Sequence, residues 1–133
     1  MMTRIADYGF AATYDGDTGS LNVARVALAR WLVSVDGAAF VDDAQLVLSE
    51  LASNAIEAAP GEPYAVDASL QIGMLEITVH NQDSGSLPAR NDWSPAAVLA
   101  DRGRGLLIVE RLCDEVIVDD GDTSVSVTAR LRR

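Results

Sequence analysis

The sequence predicts an α/β two-layer sandwich, with three main helices on one face of a mixed, mostly antiparallel sheet. Three observations lead there. Apolar residues recur at three- and four-residue spacing in three separate stretches, the mark of helices with one buried face. Elsewhere, apolar and polar residues alternate strictly, the mark of strands half buried against a core. At 133 residues the chain has room for two such layers and one core, so residues 1–133 are read as a single domain without repeats or linkers.

The elements follow in order. Met1–Tyr8 reads as a loose start, with Ile5 and Phe10–Thr13 as material for an edge strand. Asp15–Gly19 is turn-like. Ser20 then reads as the cap of a helix running to about Val35, with Leu21, Ala24, Leu28, Trp31, Leu32 and Val35 along one stripe and Arg25 and Arg30 outside it. Trp31 reads as core and not as a ligand platform. Asp36-Gly37 ends this helix, and a short linker through Phe40 follows.

Leu46–Ala59 holds no Gly or Pro and is rich in Ala, Leu and Glu, which predicts a second helix. Asp42 or Asp43 is expected as its cap and Pro60-Gly61 as its end. At about 100° per residue, Val47, Leu48, Leu51, Ala52, Ala55, Ile56 and Ala59 fall on one arc that must be buried. Asp43, Glu50, Asn54 and Glu57 form a stripe at its border. Tyr64–Gln71 and Leu75–His80 then alternate as a hairpin about Gly73. Its second strand carries Leu75, Ile77 and Val79 inward and Glu76, Thr78 and His80 toward solvent. Asn81–Pro88 is a turn-rich loop, and Arg90–Ala100 an irregular or short helical lid pinned by Trp93 and Pro95. Leu106–Leu112 forms a third helix with Leu106, Val109 and Leu112 inward. Strands at Glu115–Val118 and Ser124–Ala129 close the sheet around an Asp119–Asp122 turn.

Composition narrows the function. Apolar residues make up 49% and aromatics 5%, so the core is built from Ala, Val and Leu. Ten arginines, no lysine and twenty acids leave a net charge of −10, which disfavours a protein that grips a nucleic-acid backbone. That balance still admits a nucleotide held through magnesium and helix ends, and it suits a protein partner with basic patches. No apolar run is long enough to span a membrane and no signal segment opens the chain, so a soluble, cytoplasmic protein is expected. The one cysteine, Cys113, lies in an apolar stretch and reads as a small buried thiol. With one cysteine and one histidine, a structural zinc site is not expected.

Two groups of residues carry chemistry. Glu50 and Asn54 stand one helical turn apart. A single such pair is compatible with a plain surface stripe, but it also has the makings of a metal–phosphate site. The amide oxygen of Asn54 is a hard ligand that adds no charge, and Glu50 can orient a hydroxyl or water. Gly103-Arg104-Gly105-Leu106 opens the third helix, where two glycines allow close approach and unpaired N–H groups face an anion. Arg102 and Arg104 add charge there. Without Gly-Lys-Ser/Thr this is not a P-loop, and without a strand before GxGxxG it is not a dinucleotide fingerprint.

Together these parts resemble the small bacterial anti-sigma serine kinases, the RsbW and SpoIIAB group, within the histidine-kinase-like ATPases that include gyrase and MutL. The resemblance covers nearly the whole chain. Glu50-Leu-Ala-Ser-Asn54-Ala55 is similar to the family's ELVTNA helix motif. Gly103-Arg104-Gly105-Leu106, with Val109, Leu112 and Asp114, is similar to its GRGLxLVxxLxD. Ser20–Trp31, with Arg25, resembles its first helix. The resemblance implies the Bergerat fold and binding of ATP and Mg2+. Asn54 would chelate magnesium, Glu50 would act on the attacking hydroxyl, and Gly103, Arg104 and Gly105 would cap the phosphates, with Arg102 or Arg104 near the γ-phosphate. The family strand ends in Val-x-Asp-x-Gly-x-Gly, whose Asp accepts from the adenine amino group. If Val79 anchors that pattern, Asn81 takes the Asp position, Asp83 the first Gly and Gly85 the second. A slip of two residues places Asp83 on the adenine instead. In the first register an Asn81→Asp change is expected to tighten nucleotide binding, since a carboxylate accepts more strongly than an amide.

The function implied is an anti-sigma regulator that holds a sigma factor and uses ATP to phosphorylate a serine of a STAS-type anti-anti-sigma partner. A binding module of the same fold without efficient catalysis, and a histidine-kinase catalytic domain cut from its sensor, are the alternatives. Homodimerisation through the first helix or the edge strand before it is also implied, and neither nucleic acid nor a membrane is expected as a partner.

Overall fold

The computed structural model describes residues 9–81, 104–120 and 125–132, with the backbone alone at 104–107 and 120. Its elements are β1 (Gly9–Tyr14), α1 (Ser20–Ser34), a 3-10 turn (Ala38–Phe40), α2 (Val41–Ala58), β2 (Tyr64–Gln71), β3 (Met74–Asn81), α3 (Arg104–Leu112), β4 (Glu115–Asp120) and β5 (Val125–Arg132). The five strands form one sheet in the order β1-β2-β3-β5-β4, and each of its four pairings is antiparallel. The three helices pack on one face, as the apolar stripes require, and the expected sandwich is the one observed.

Alternation decides which face each strand buries. Leu75, Ile77 and Val79 are buried with Val66 and Ala68 of β2 and Ala129 and Leu131 of β5. Opposite them lie Ala24, Leu28 and Leu32 of α1, and Val47, Leu48, Leu51, Ala52, Ala55 and Ile56 of α2. The whole arc read for the second helix is buried, Ala59 included. Val109 of α3 is fully buried in the same core. Gly73, at φ 71°, turns the β2–β3 hairpin, a backbone region that glycine enters without steric cost.

Several boundaries differ from expectation. Asn81 closes β3 instead of opening the loop, β4 runs through Asp119 and Asp120 where a turn was expected, and β5 extends from Val125 to Arg132, since strand pairing carries past the apolar alternation. The second helix starts at Val41, five residues before Leu46, so Asp42 and Asp43 lie in its first turn and Phe40 holds the cap position. Buried Phe40 and Ala44 anchor the extra turn to the core, and the two carboxylates favour the positive end of the helix dipole. Ser20 does not cap α1; it is the first helical residue, after Gly19. Its hydroxyl lies 2.6 Å from that of Tyr64, a fully buried side chain whose polar end needs a partner.

Trp31 packs on Phe10 of β1 with ring centroids 5.8 Å apart, a core role as read. Gly16 is required by contact: a Cβ there would come within 2.1 Å of the Glu62 carbonyl oxygen. Its own carbonyl accepts from the Gly61 N–H at 3.1 Å, so the turn before α1 is clamped onto the turn after α2.

Candidate nucleotide site

One end of the sandwich gathers three chain segments. α2 leads through Ala59–Pro63 into Tyr64 of β2, and Tyr64 pairs with Asn81, the last residue of β3. α3 is joined to β4 by a two-residue turn, and β4 runs toward the end where Asp120 pairs with Val125. The N-terminus of α3 is thereby directed to that same end. Ala59 and Val125, both buried, pack together there.

Glu50 and Asn54 lie at the border of the buried face of α2, both half-buried, as the spacing predicts. The Asn54 Nδ2 atom is shielded from solvent and has no hydrogen-bond partner among the described residues. A buried N–H donor left without any partner costs about 1–3 kcal/mol, so the Nδ2 of Asn54 calls for a partner such as a water or a ligand.

Asn81 is the buried polar residue of the inner sheet face, 4% exposed. Its Nδ2 donates to the Ala55 carbonyl of α2 at 3.0 Å, one residue beyond Asn54. The structure thus brings Asn81 against the helix that carries Glu50 and Asn54. Arg104, Gly105 and Leu106 are the first three residues of α3, which starts two residues before the helix start read at Leu106. Asp83, Gly85, Arg102 and Gly103 lie outside the described residues, as do Ile5, the loop through Pro88 and the lid with Trp93 and Pro95.

Several contacts were not legible beforehand. Arg25 of α1 donates to Ser49 Oγ at 3.3 Å and to Asn22 Oδ1 at 3.2 Å. Its carbonyl accepts from Gln45 Nε2 at 3.2 Å, and Ser49 Oγ donates to the Gln45 carbonyl. These links fasten α1 to α2 one residue before Glu50. His80 pairs with Asp67 at 3.0 Å on the outer sheet face, away from Asn54 and Asn81, in keeping with its solvent-facing assignment. Burial pushes the Cys113 thiol up to about 11, with Asp114 and Asp43 adding to the shift, which makes it a poor nucleophile. An apolar hollow of about 720 Å³ lined by Val35, Phe40, Leu70 and Ile72 sits at the hairpin end. The strands separate it from Asn81 by roughly 20 Å.

A histidine kinase-like ATPase family profile matches residues 15–131, nearly the whole chain. The chain belongs to the histidine kinase-like ATPase domain family. This domain also resembles the solved RsbU and RsbW domains of Rv1364c from Mycobacterium tuberculosis, with a TM-score of 0.66 at 19% identity. The match covers 93% of this chain and 32% of that one, and at this identity it speaks for the fold alone. No curated protein matches the chain.

The residues present fit a magnesium nucleotide. Among the described residues no group of three or more His, Cys, Asp or Glu gathers to hold a metal by itself. Magnesium needs none, because it keeps waters and takes phosphate oxygens beside one or two protein ligands. The carbonyl oxygen of an Asn side chain is a ligand of that kind, and Asn54, with a shielded Nδ2 that has no partner among the described residues, is the Asn of α2 beside Glu50. Among the described residues no helix is long and apolar enough to cross a membrane.

Proposed function

We propose that the chain is an anti-sigma regulator with ATP-dependent serine kinase activity toward a STAS-type anti-anti-sigma partner. The observation that carries this reading is the placement of Asn54, whose shielded Nδ2 has no partner among the described residues, one helical turn from Glu50 on the helix that Asn81 bonds through Ala55. Asn54 would hold magnesium beside the phosphates of ATP through its amide oxygen. Magnesium, when bound, offsets phosphate charge. Glu50 orients the serine hydroxyl and accepts its proton as the γ-phosphoryl group passes to the serine oxygen and ADP leaves. Gly103, Arg104 and Gly105 cap the phosphates at the start of α3, joined by Arg102. Asn81 accepts from the adenine amino group, with Asp83 as the other candidate and Gly85 as the small residue beyond. The sigma factor and the antagonist, both outside the chain, are bound by a strongly acidic surface that suits basic partners.

Titration calorimetry with ATP and magnesium tests the reading first. Binding in the range of tens to hundreds of micromolar is expected, about 5 to 6 kcal/mol. Asn54→Ala removes the magnesium dependence and most of the affinity. Glu50→Ala abolishes transfer to a STAS-partner serine and leaves binding nearly intact, because the carboxylate acts in the chemical step. No heat at millimolar ATP with folded protein leaves the second reading, a nucleotide-independent module that sequesters a regulatory protein. That reading is favoured by the neutral Asn81 where the family pattern has a carboxylate. Label appearing on a histidine in place of a serine would point to a histidine-kinase catalytic domain.

We also propose a homodimer. β1 is an edge strand, and α1, which packs against it, exposes Val23, Val26 and Val33. A concentration-independent monomer in sedimentation would remove that proposal.

A further inference from the structure

We propose that the outer edge of β4 docks an extended segment of a partner protein in which arginine or lysine alternates with apolar residues. β4 closes the sheet order β1-β2-β3-β5-β4 and pairs with β5 alone among the described residues. In an antiparallel ladder every second residue turns its N–H and C=O away from its partner strand, so β4 offers a row of backbone donors and acceptors outward. The two edges of the sheet differ in what they would take. β1, Gly9–Tyr14, carries no charged residue, whereas β4, Glu115–Asp120, carries three acids and no base. By alternation Glu115, Ile117 and Asp119 share the outer face of β4, and Val116 and Val118 turn to the core. Glu115 and Asp119 are exposed, and the three apolar residues between them are only half-buried. An added strand would cover that apolar surface as well as the backbone.

Charge selects the occupant. Antiparallel pairing of two copies about Ile117 would set Glu115 of each against Asp119 of the other, like charges directly opposite. A second copy is thereby rejected, and a strand with cations at those positions is favoured. The start of β4 repeats the preference. A hollow of about 240 Å³ lies there between the end of α3 and the strand, lined by Glu110, Asp114 and Glu115, with Arg111 as its one base. Glu115 Oε1 already accepts from Arg130 Nη1 at 2.8 Å, and Asp114 Oδ2 from the Arg132 backbone N–H at 2.7 Å. Glu110 and Asp119, both exposed, stand at the two ends of the edge to meet a partner's first and last cations. In this mode of recognition backbone bonds give affinity and alternate side chains choose the partner. None of these features depends on the nucleotide reading.

A fluorescein-labelled peptide of about eight residues, with arginine and valine alternating, is the probe, titrated into the full chain. Binding in the range of about 10 to 100 micromolar is expected at low salt and weakens as salt rises. The same peptide with every backbone nitrogen methylated keeps its charge and donates no hydrogen bond. It is expected to bind at least about tenfold more weakly, and equal binding overturns docking as a strand. A peptide of the same composition with its arginines grouped at one end is expected to weaken as far, and equal binding there overturns the alternating pattern. Asp119→Arg should weaken the alternating peptide about fivefold or more, and an unchanged affinity overturns selection by charge. Amide exchange followed by ¹⁵N NMR locates the peptide on the wild-type protein. Slowed exchange is expected at alternate amides of Val116–Asp120 and not at Gly9–Tyr14, and protection of β1 instead overturns the assignment to β4. No binding at millimolar peptide to folded protein overturns the whole proposal and leaves the acids as guards against self-pairing.

Discussion

The two faces of β3 are made from one eight-residue strand and behave as two materials. Inward, Leu75, Ile77, Val79 and Asn81 are buried, and the one polar member is bonded to the helix above it. Outward, Glu76, Thr78 and His80 are half-buried, and each meets a neighbouring strand through its side chain. Glu76 accepts from Arg130 Nε at 2.7 Å, and Arg130 also donates to Glu115 at 2.8 Å. The Thr78 and Thr128 hydroxyls lie 2.8 Å apart, and His80 meets Asp67. The outer face makes more polar contacts, yet water competes for each of them. The inner face makes few, and every one of them, kept or missing, is felt in full.

The sharpest way to break this contrast is Ile77→Ala, which opens a cavity beneath α2. It is expected to cost about 2–5 kcal/mol in urea unfolding, and a loss below about 1 kcal/mol would mean that the inner face is loosely packed. Cys113, half-buried against the inner core, sharpens the contrast through chemistry. With its thiol pushed from 9.0 to about 11, alkylation at pH 8 should run roughly a hundredfold slower than in the unfolded chain. The folded state keeps this proton longer than the unfolded state. The thiol therefore leaves stability unchanged below pH 9 and lowers it as pH rises from there toward 11. Alkylation at the unfolded rate would mean an open thiol. Tyr64→Phe removes the hydroxyl partner of Ser20 from the inner face and should cost about 0.5–1.5 kcal/mol by thermal melting. The smallest effect is expected on the outer face, where Glu76→Gln should melt within a degree or two of the wild type at both low and high salt. A larger, salt-dependent drop would show that the Arg130 contacts act as a network.

Legibility followed the range of the forces involved. The buried arc of α2 was readable because its residues repeat at the helical period, and the same arithmetic set Glu50 and Asn54 at its edge. The β2–β3 hairpin was readable from alternation and Gly73. The start of α2 was not, because Asp42 and Asp43 suit a cap and a first turn equally well, and burial of Phe40 and Ala44 decided between them. Ser20 looks like a cap for the same local reason, and the buried Tyr64, 44 residues away, claimed its hydroxyl. In the candidate site, the acceptor role of Asn81 could be posed from the strand pattern. Its bond to Ala55 spans 26 residues and leaves no trace in local spacing.

By itself, then, the sequence determined the helices, the strands, the inner and outer faces and the family motifs at Glu50–Ala55 and Gly103–Leu106. These are properties of period and of neighbouring residues, and they are written along the chain. Only the tertiary structure decided where α2 begins, which hydroxyl Ser20 meets, that the Asn54 Nδ2 has no partner among the described residues, and that Asn81 hangs from the carbonyl of Ala55. Each of these depends on the depth and direction of a polar group relative to residues far away in sequence, and burial sets the worth of such contacts once the layers have closed.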